Sequence, residues 1–228
     1  MKNNAYYIGR SGNEIMNSNN FGNGIIRYLN YEQAFVSRVL SKNHYSTLIE
    51  FGCDEIRLYG NCAINNVKYI GVDIRSDLKD FADHYFSENN HVEGHFINTC
   101  LSKFDEFFEN DVNNSVLCVF PFNLIGNLDD VERQIAKCYE LGFELIVSQF
   151  NTTHYAKAVR YGYYQKCGFY NLSFKEDKSG HLFVGADFES KSYHYEYLLN
   201  CIVNIGFEKS DEFLDNSIQI FHFTRRRV

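Results

Sequence analysis

Short apolar runs that alternate with amphipathic segments are the feature that most restricts what this chain can fold into. A first run at 47–53 is broken by a glycine, and a second run at 67–73 follows after about one helix of sequence. Apolar runs of about four to eight residues bounded by turn residues are typical of buried strands. Strands that alternate with helices predict a mostly parallel, doubly wound sheet with helices on both faces.

The remaining segments continue this alternation. Further strands are predicted at 95–97, 115–120, 144–150, 181–188 and 217–223, and helices at 77–86, 104–109, 129–141, 153–166 and 195–205. Residues 1–24 are polar and weakly patterned, whereas the apolar spacing of 25–42 predicts one or two helices. We therefore expect an N-terminal flexible or helical cap over 1–44, which would act as a lid, and one α/β domain over 45–228.

Charge and cysteine content restrict the partners and the compartment. The 228 residues include 22 basic and 29 acidic side chains, and a surface of that net sign repels phosphate backbones, so no nucleic-acid partner is expected. Seven scattered cysteines without a CxxC pair, and no apolar leader, predict reduced thiols in a cytoplasmic protein. The longest apolar stretch, 116–128, is interrupted by Pro121 and too short to span a bilayer.

A metal site is not expected. The two histidines of 91–95 flank a Val-Glu-Gly sequence rather than the spacing of a zinc helix. On a strand, ligands four residues apart would lie about 13 Å from each other, which is too far to share one ion.

The residues that end the predicted strands carry the chemistry, because open α/β sheets bind ligands beyond the carboxyl ends of their strands. Asp73 closes the second strand, where one carboxylate can accept hydrogen bonds from both hydroxyls of a ribose. Dinucleotide enzymes share this feature, so the turn after the first strand has to decide between cofactors.

That turn has no GxGxxG sequence and carries the carboxylates Glu50, Asp54 and Glu55. Carboxylates at a helix start oppose a pyrophosphate. They suit a cofactor with a ribose, a positive charge and no phosphate, and S-adenosylmethionine (SAM) is such a cofactor. The alternative is that Glu50 and Asp73 are ordinary polar residues at strand ends.

The sequence around these residues resembles the class I SAM-dependent methyltransferases. Residues 49–53 (Ile-Glu-Phe-Gly-Cys) look like the first motif of that family, and 70–73 (Ile-Gly-Val-Asp) look like the second. Residues 193–207 resemble its late helix and the Gly-Phe turn before the final hairpin. The resemblance covers 45–223 and implies a Rossmann-like, seven-stranded sheet with an antiparallel final strand. It also implies SAM as cofactor and S-adenosylhomocysteine (SAH) as product.

By this resemblance, Gly52 lies under the amino-acid part of the cofactor, Glu50 orients the turn and Asp73 binds the ribose. Two departures stand out: the further glycines of the first motif are missing, and no acid follows the third strand. The candidate cofactor-binding residues are Glu50, Gly52, Cys53, Asp73, Ile74, Asn98, Thr99, Phe120 and Pro121.

The fourth strand ends in Phe-Pro-Phe-Asn at 120–123, without the Asn/Asp-Pro-Pro-aromatic signature of enzymes that methylate nucleobases or glutamine amides. The Ile-Gly-Asn at 125–127 is similar to the corresponding region of histidine-betaine-forming methyltransferases. Asn123 and Asn127 are candidates to hold a polar substrate or the methionine carboxylate, with helix capping as the alternative for Asn127.

Methyl transfer needs alignment and a dry cavity, and it needs a base only when the attacking group carries a proton. The candidate catalytic residues are His154, Tyr155 and Asn123, because a His-Tyr pair follows the fifth strand. The candidate substrate-binding residues are Tyr6, Tyr7, Tyr28, Asn127, Tyr164 and Tyr193, whose rings suit an ammonium product. For each tyrosine the alternative is a core or surface role.

These observations predict a SAM-dependent methyltransferase that acts on a small molecule such as an amine, an amino acid or a phenol, by N- or O-methylation. We expect a monomer or a homodimer. The alternatives are a methyltransferase of RNA or of a protein side chain, and a non-catalytic binding protein that keeps the fold.

Overall fold

The computed structural model describes residues 12–108, 115–186 and 188–226. Its helices are α1 (Gly12–Ile15), α2 (Asn23–Lys42), α3 (Tyr59–Asn65), α4 (Leu78–Glu88), α5 (Val131–Glu140), α6 (His154–Lys166) and α7 (Tyr195–Ile205). Its strands are β1 (Thr47–Phe51), β2 (Lys68–Asp73), β3 (Gly94–Asn98), β4 (Val116–Phe120), β5 (Glu144–Phe150), β6 (Ser173–Asp177), β7 (Gly180–Val184), β8 (Glu189–Tyr193), β9 (Phe207–Leu214) and β10 (Ile218–Arg225). Short 3-10 turns lie at Ser18–Asn20, Leu101–Phe107 and Leu124–Asn127.

Seven strands form one sheet in the order β3-β2-β1-β4-β5-β10-β9. β1, β2, β3, β4 and β5 pair in parallel, and β10 runs antiparallel to both β5 and β9. This confirms the predicted seven-stranded, mostly parallel sheet with an antiparallel final strand. The strand order reverses between β1 and β4, which is where α/β sheets of this type bind ligands.

The strand predicted at 181–188 does not belong to the main sheet, so this prediction was wrong. The strand there is Gly180–Val184, and it lies in a separate three-stranded antiparallel sheet, β6-β7-β8. The seventh strand of the main sheet is instead Phe207–Leu214, an edge strand with four charged residues. Its outer face meets solvent, so it lacks the apolar run that identifies a buried strand.

Side-chain caps explain where two of the predicted helices begin. The Asp130 carboxylate accepts a hydrogen bond from the backbone N–H of Arg133 (3.1 Å), which caps α5 as its sequence indicates. The Thr153 hydroxyl oxygen accepts one from the N–H of Ala156 (3.0 Å) and caps α6. Both caps satisfy N–H groups that have no partner within the helix.

Helix α2 belongs to the hydrophobic core of the sheet. The Tyr28 ring is enclosed, with Phe122 and Phe150 edge-on at 5.0 Å, and its hydroxyl is 2.8 Å from the hydroxyl oxygen of Ser148 on β5. The division of the chain at residue 44 stays a prediction. In the described ranges, no helix combines the length and the apolar character needed to cross a membrane.

Candidate functional site

A cleft opens at the carboxyl edge of the sheet, where the strand order reverses. It encloses about 910 Å³ of empty space, counting the part open to solvent. Its walls come from the turns after β1, β2 and β4, from the start of the 3-10 turn after β3, and from Ile15 and Met16. Among the predicted site residues, those that line it are Gly52, Asp73, Ile74, Pro121 and Asn127.

The turn after β1 places three alternate residues in the left-handed region: Gly52 (φ 59°), Asp54 (φ 44°) and Ile56 (φ 59°). Glycine adopts this region without strain, whereas a β-branched residue does so at a cost. The turn therefore keeps its left-handed positions although the further glycines of the family motif are missing. Two of these positions carry side chains instead, and the side chain of Asp54 lines the cleft.

Asp73 is held by the backbone of both neighbouring turns. One carboxylate oxygen accepts the N–H of Arg75 (3.0 Å), and the other accepts the N–H of Asp54 (3.1 Å). Burial raises the pKa of Asp73 despite these hydrogen bonds. Each oxygen keeps a further lone pair, so the carboxylate is fixed in place and can still accept hydrogen bonds from a ligand.

Arg75 crosses from the end of β2 to the turn after β1. Its Nη1 donates to Asp54 (2.7 Å), while Nη2 and Nε donate to the two oxygens of Asp77 (2.7 and 3.3 Å). Every nitrogen of this guanidinium thus binds a carboxylate. The residue lines the cleft with its charge already balanced.

A buried charge cluster lies behind the cleft, formed by Glu32 of α2, Glu50 of β1 and Arg57. The Nη2 of Arg57 is 3.0 Å from a Glu32 oxygen and 3.6 Å from a Glu50 oxygen. Glu50 also accepts hydrogen bonds from the Tyr69 hydroxyl (2.7 Å) and the N–H of Leu58 (3.1 Å). Burial raises the pKa of Glu50 to about 7, although Arg57 and these hydrogen bonds oppose the shift.

Glu32 also reaches the turn after β4, where its second oxygen accepts the N–H of Phe122 (2.7 Å). Glu32 and Arg57 were missed as site residues by the sequence analysis. The sequence signal was limited to Arg57, a basic residue close after the motif of β1. Its partner Glu32 lies 25 residues earlier on α2, and no local pattern predicts that the two meet.

The turn after β4 is fixed by Asn123. Its side-chain amide donates to the carbonyl of Lys191 (2.9 Å) and its oxygen accepts the N–H of Phe150 (3.3 Å). A Cβ on Gly126 would lie 1.7 Å from the same Lys191 carbonyl, so glycine allows β8 to approach this turn. Asn123 was predicted to be a catalytic residue and to hold the substrate or the methionine carboxylate, but it is buried and joins the turn to β5 and β8.

The structure does not bring the predicted catalytic residues together at the cleft. His154 and Tyr155 are exposed at the start of α6 and do not line it. Tyr28 and Tyr164 are buried in the core rather than placed over the cleft, because aromatic rings enclose both. Tyr193 lines a separate hollow beside Tyr197.

The remaining predicted residues lie beside or behind the cleft. Cys53 and Phe120 are fully buried beneath it, and Glu50 belongs to the charge cluster. The side chain of Asn98 donates to the Asp73 carbonyl (3.0 Å), and the Thr99 N–H donates to the same oxygen (2.9 Å). Tyr6 and Tyr7 lie outside the described residues.

A metal site is absent from the ranges that the structure describes: no three His, Cys, Asp or Glu side chains are grouped to hold an ion.

The chain resembles known proteins in its fold, whereas no relative was found by sequence. No family model and no curated protein matches the chain. Among solved structures, magnesium protoporphyrin IX methyltransferase from Synechocystis, with SAH bound, superposes with a TM-score of 0.64 at 14% identity, over 98% of each chain. The 1,6-didemethyltoxoflavin-N1-methyltransferase of Burkholderia thailandensis gives 0.56 at 10% identity, over 86% of this chain and 78% of that one.

A cyclase, SpnF, gives a TM-score of 0.61 at 10% identity, over 86% of this chain and 80% of that one. A shared fold therefore does not fix the reaction. At these sequence identities the comparisons show the fold alone. The chain has the Rossmann-like fold of the SAM-dependent methyltransferases.

Proposed function

We propose that this protein is a SAM-dependent methyltransferase that transfers a methyl group to a small-molecule acceptor by in-line displacement. The observation that carries the proposal is that Gly52 and Asp73, predicted from two separate motifs, line one cleft at the reversal of strand order. The SAH bound to a structural neighbour supports the choice of cofactor.

The residues present fit this cofactor. The fixed carboxylate of Asp73 would accept the ribose hydroxyls, and the apolar side chains of Ile74 and Leu101 would hold the adenine. A Cβ on Gly52 would lie 3.2 Å from a Leu124 methyl, so the glycine keeps this wall of the cleft open. SAM, when bound, supplies a methyl group on a sulfonium, and the protein's part is to align it and to exclude water.

The rest of the lining favours a small acceptor with an apolar body, such as a phenol or an amine with an aromatic group. Ile15, Met16, Phe122 and Leu128 supply apolar surface, and Asn127 supplies a polar group that would orient the acceptor. His154 and Tyr155 have no role in this proposal, because they lie outside the cleft. We therefore propose that the cleft acts by alignment without a base from α6, and that a phenol or amine acceptor releases its proton to solvent.

We also propose a cytoplasmic location. No disulfide joins the seven cysteines, all of which the structure describes, and this is the usual state of thiols in a reducing compartment.

Calorimetric titration with SAH tests the proposal. We expect binding to the wild-type protein and a loss of at least about tenfold in affinity for Asp73→Ala, because hydrogen bonds to a charged group contribute about 1.5–3 kcal/mol. Asp83→Ala is the matched control, since Asp83 is an exposed carboxylate on α4 paired with Lys79. Absence of both binding heat and a thermal shift with SAH would refute the proposal.

A second candidate is a protein that binds SAM without transferring its methyl group. The cyclase with the same fold and the side chains of Asp54 and Ile56 in the first turn favour it. Binding of SAH without methyl transfer from labelled SAM to any of a panel of amines, amino acids and phenols would support this second candidate.

A further inference from the structure

We infer that Arg57 is the anion-binding residue of the cleft and takes the carboxylate of the methionine part of SAM. This inference rests on the proposed function and names the group that holds one end of the cofactor.

The two terminal nitrogens of Arg57 differ in their surroundings. Nη2 donates to a Glu32 oxygen at 3.0 Å and lies 3.6 Å from a Glu50 oxygen. Nη1 is buried and has no hydrogen-bond partner in the part of the chain that the structure describes, although the residue lines the cleft. A buried charged donor without a partner destabilises the protein, so such groups are normally satisfied by water or a ligand.

The other cation of the lining and two backbone N–H groups of the turn after β1 already have partners. Arg75 is the second cation among the described residues of the lining, and its three nitrogens bind Asp54 and Asp77. The N–H of Gly52 donates to the Val72 carbonyl (2.7 Å), and that of Asp54 donates to Asp73. A ligand carboxylate therefore finds its cationic donor at Arg57.

The two carboxylates behind Arg57 would position it. Glu32 holds Nη2 from the α2 side and Glu50 lies on the β1 side, so the guanidinium is held in place by these two carboxylates while Nη1 has no partner among the described residues. The raised pKa of Glu50 reduces the negative charge of this cluster near neutral pH. Glu32 and Glu50 then neutralise the positive charge of the guanidinium only in part, which favours binding of a further carboxylate.

A ligand that lacks only the carboxylate tests this assignment. The affinities of SAH and of decarboxylated SAH are measured by calorimetry on the wild-type protein and on Arg57→Gln. For the wild type we expect SAH to bind about 10- to 100-fold more tightly, as for hydrogen bonds to a charged donor. For Arg57→Gln we expect the two ligands to bind within about threefold of each other, with the affinity for the decarboxylated ligand little changed.

Arg75→Gln is the matched control, because Arg75 lines the same cleft with its nitrogens bound. It should keep the preference for SAH even if both affinities fall. Removal of Arg57 leaves two buried carboxylates, so Arg57→Lys is the second variant if Arg57→Gln does not fold. It keeps the charge and loses the two-nitrogen geometry, and we expect an intermediate preference.

A preference for SAH that persists in Arg57→Gln, or in Arg57→Lys at the wild-type ratio, would overturn the inference and leave the proposed function standing. So would equal binding of the two ligands to the wild-type protein. If neither ligand binds the wild type, the proposed function fails and the inference fails with it.

Discussion

The buried carboxyl of Glu50 predicts an unusual dependence of stability on pH. Its side chain is fully buried on β1, and its pKa is raised from 4.5 to about 7 in the folded protein. As the pH rises through the unfolded value, the unfolded chain loses its proton first, which favours unfolding. Stability from this group is therefore complete below the unfolded pKa, is lost as the pH rises to about 7, and then levels off.

The size of the effect follows from the shift. One pKa unit corresponds to about 1.4 kcal/mol, so a shift from 4.5 to about 7 corresponds to about 3 kcal/mol. Glu50→Gln has the same shape and can still accept the hydrogen bonds of Tyr69 and Leu58, but it does not titrate. The free energy of unfolding of the wild type, relative to this variant, should fall by about 2–3 kcal/mol between about pH 5 and about pH 8.

Urea denaturation at a series of pH values measures both free energies. Asp83→Asn is the control, because Asp83 is exposed on α4 and its partner is Lys79, whose pKa is raised by this pairing. Neither group changes its charge between about pH 5 and about pH 8, so the difference of this variant from the wild type should stay flat. A flat difference for Glu50→Gln as well would show that Glu50 stays ionised in the folded protein, and the reasoning from burial would be refuted.

Three further substitutions test how β8 packs against the turn after β4 and against Arg160, with Gly162→Ala as the control. Gly126→Ala should destabilise the protein by at least about 2 kcal/mol in thermal denaturation, since its Cβ would lie 1.7 Å from the Lys191 carbonyl. Gly162→Ala on α6, where a Cβ meets no atom within 4 Å, should stabilise it by about 0.5–1 kcal/mol; equal effects would contradict the clash. Arg160→Met should lower the free energy of unfolding by about 2 kcal/mol and speed hydrogen exchange in β8, because buried Arg160 donates to Ser190 and Ser192 (2.9 Å each). An unchanged stability would mean that the cost of burying the charge of Arg160 cancels these hydrogen bonds.

The central strands of the main sheet were predictable because they are buried on both faces. A strand such as Val116–Phe120, with all five residues buried, has to be apolar throughout, and its signal is local. Strands that meet solvent gave weaker signals. Ser173–Asp177 has no buried residue and β9 is an edge strand, so neither carries an apolar run that sequence alone can detect.

The site residues also differ in how far the sequence could predict them. Gly52 and Asp73 were predicted because strand-end positions in a parallel sheet converge at one edge, and both residues line the cleft there. The catalytic and substrate candidates came from residue type and proximity in sequence. Neither property says which way a side chain points, and Tyr28 and Tyr164 are buried by the aromatic core around them.

The sequence by itself determined the buried strands of the main sheet and the helices between them, and it predicted two strand-end residues that line the cleft, because hydrophobic patterning and turn chemistry act over a few residues. Only the tertiary structure decided the charge cluster behind the cleft. Glu32 is 25 residues from Arg57 and 90 residues from Phe122, and it meets both because α2 packs across the sheet. Burial by residues distant in the chain then raises the pKa of Glu50 and leaves Nη1 of Arg57 without a partner among the described residues, since it keeps water away from both groups.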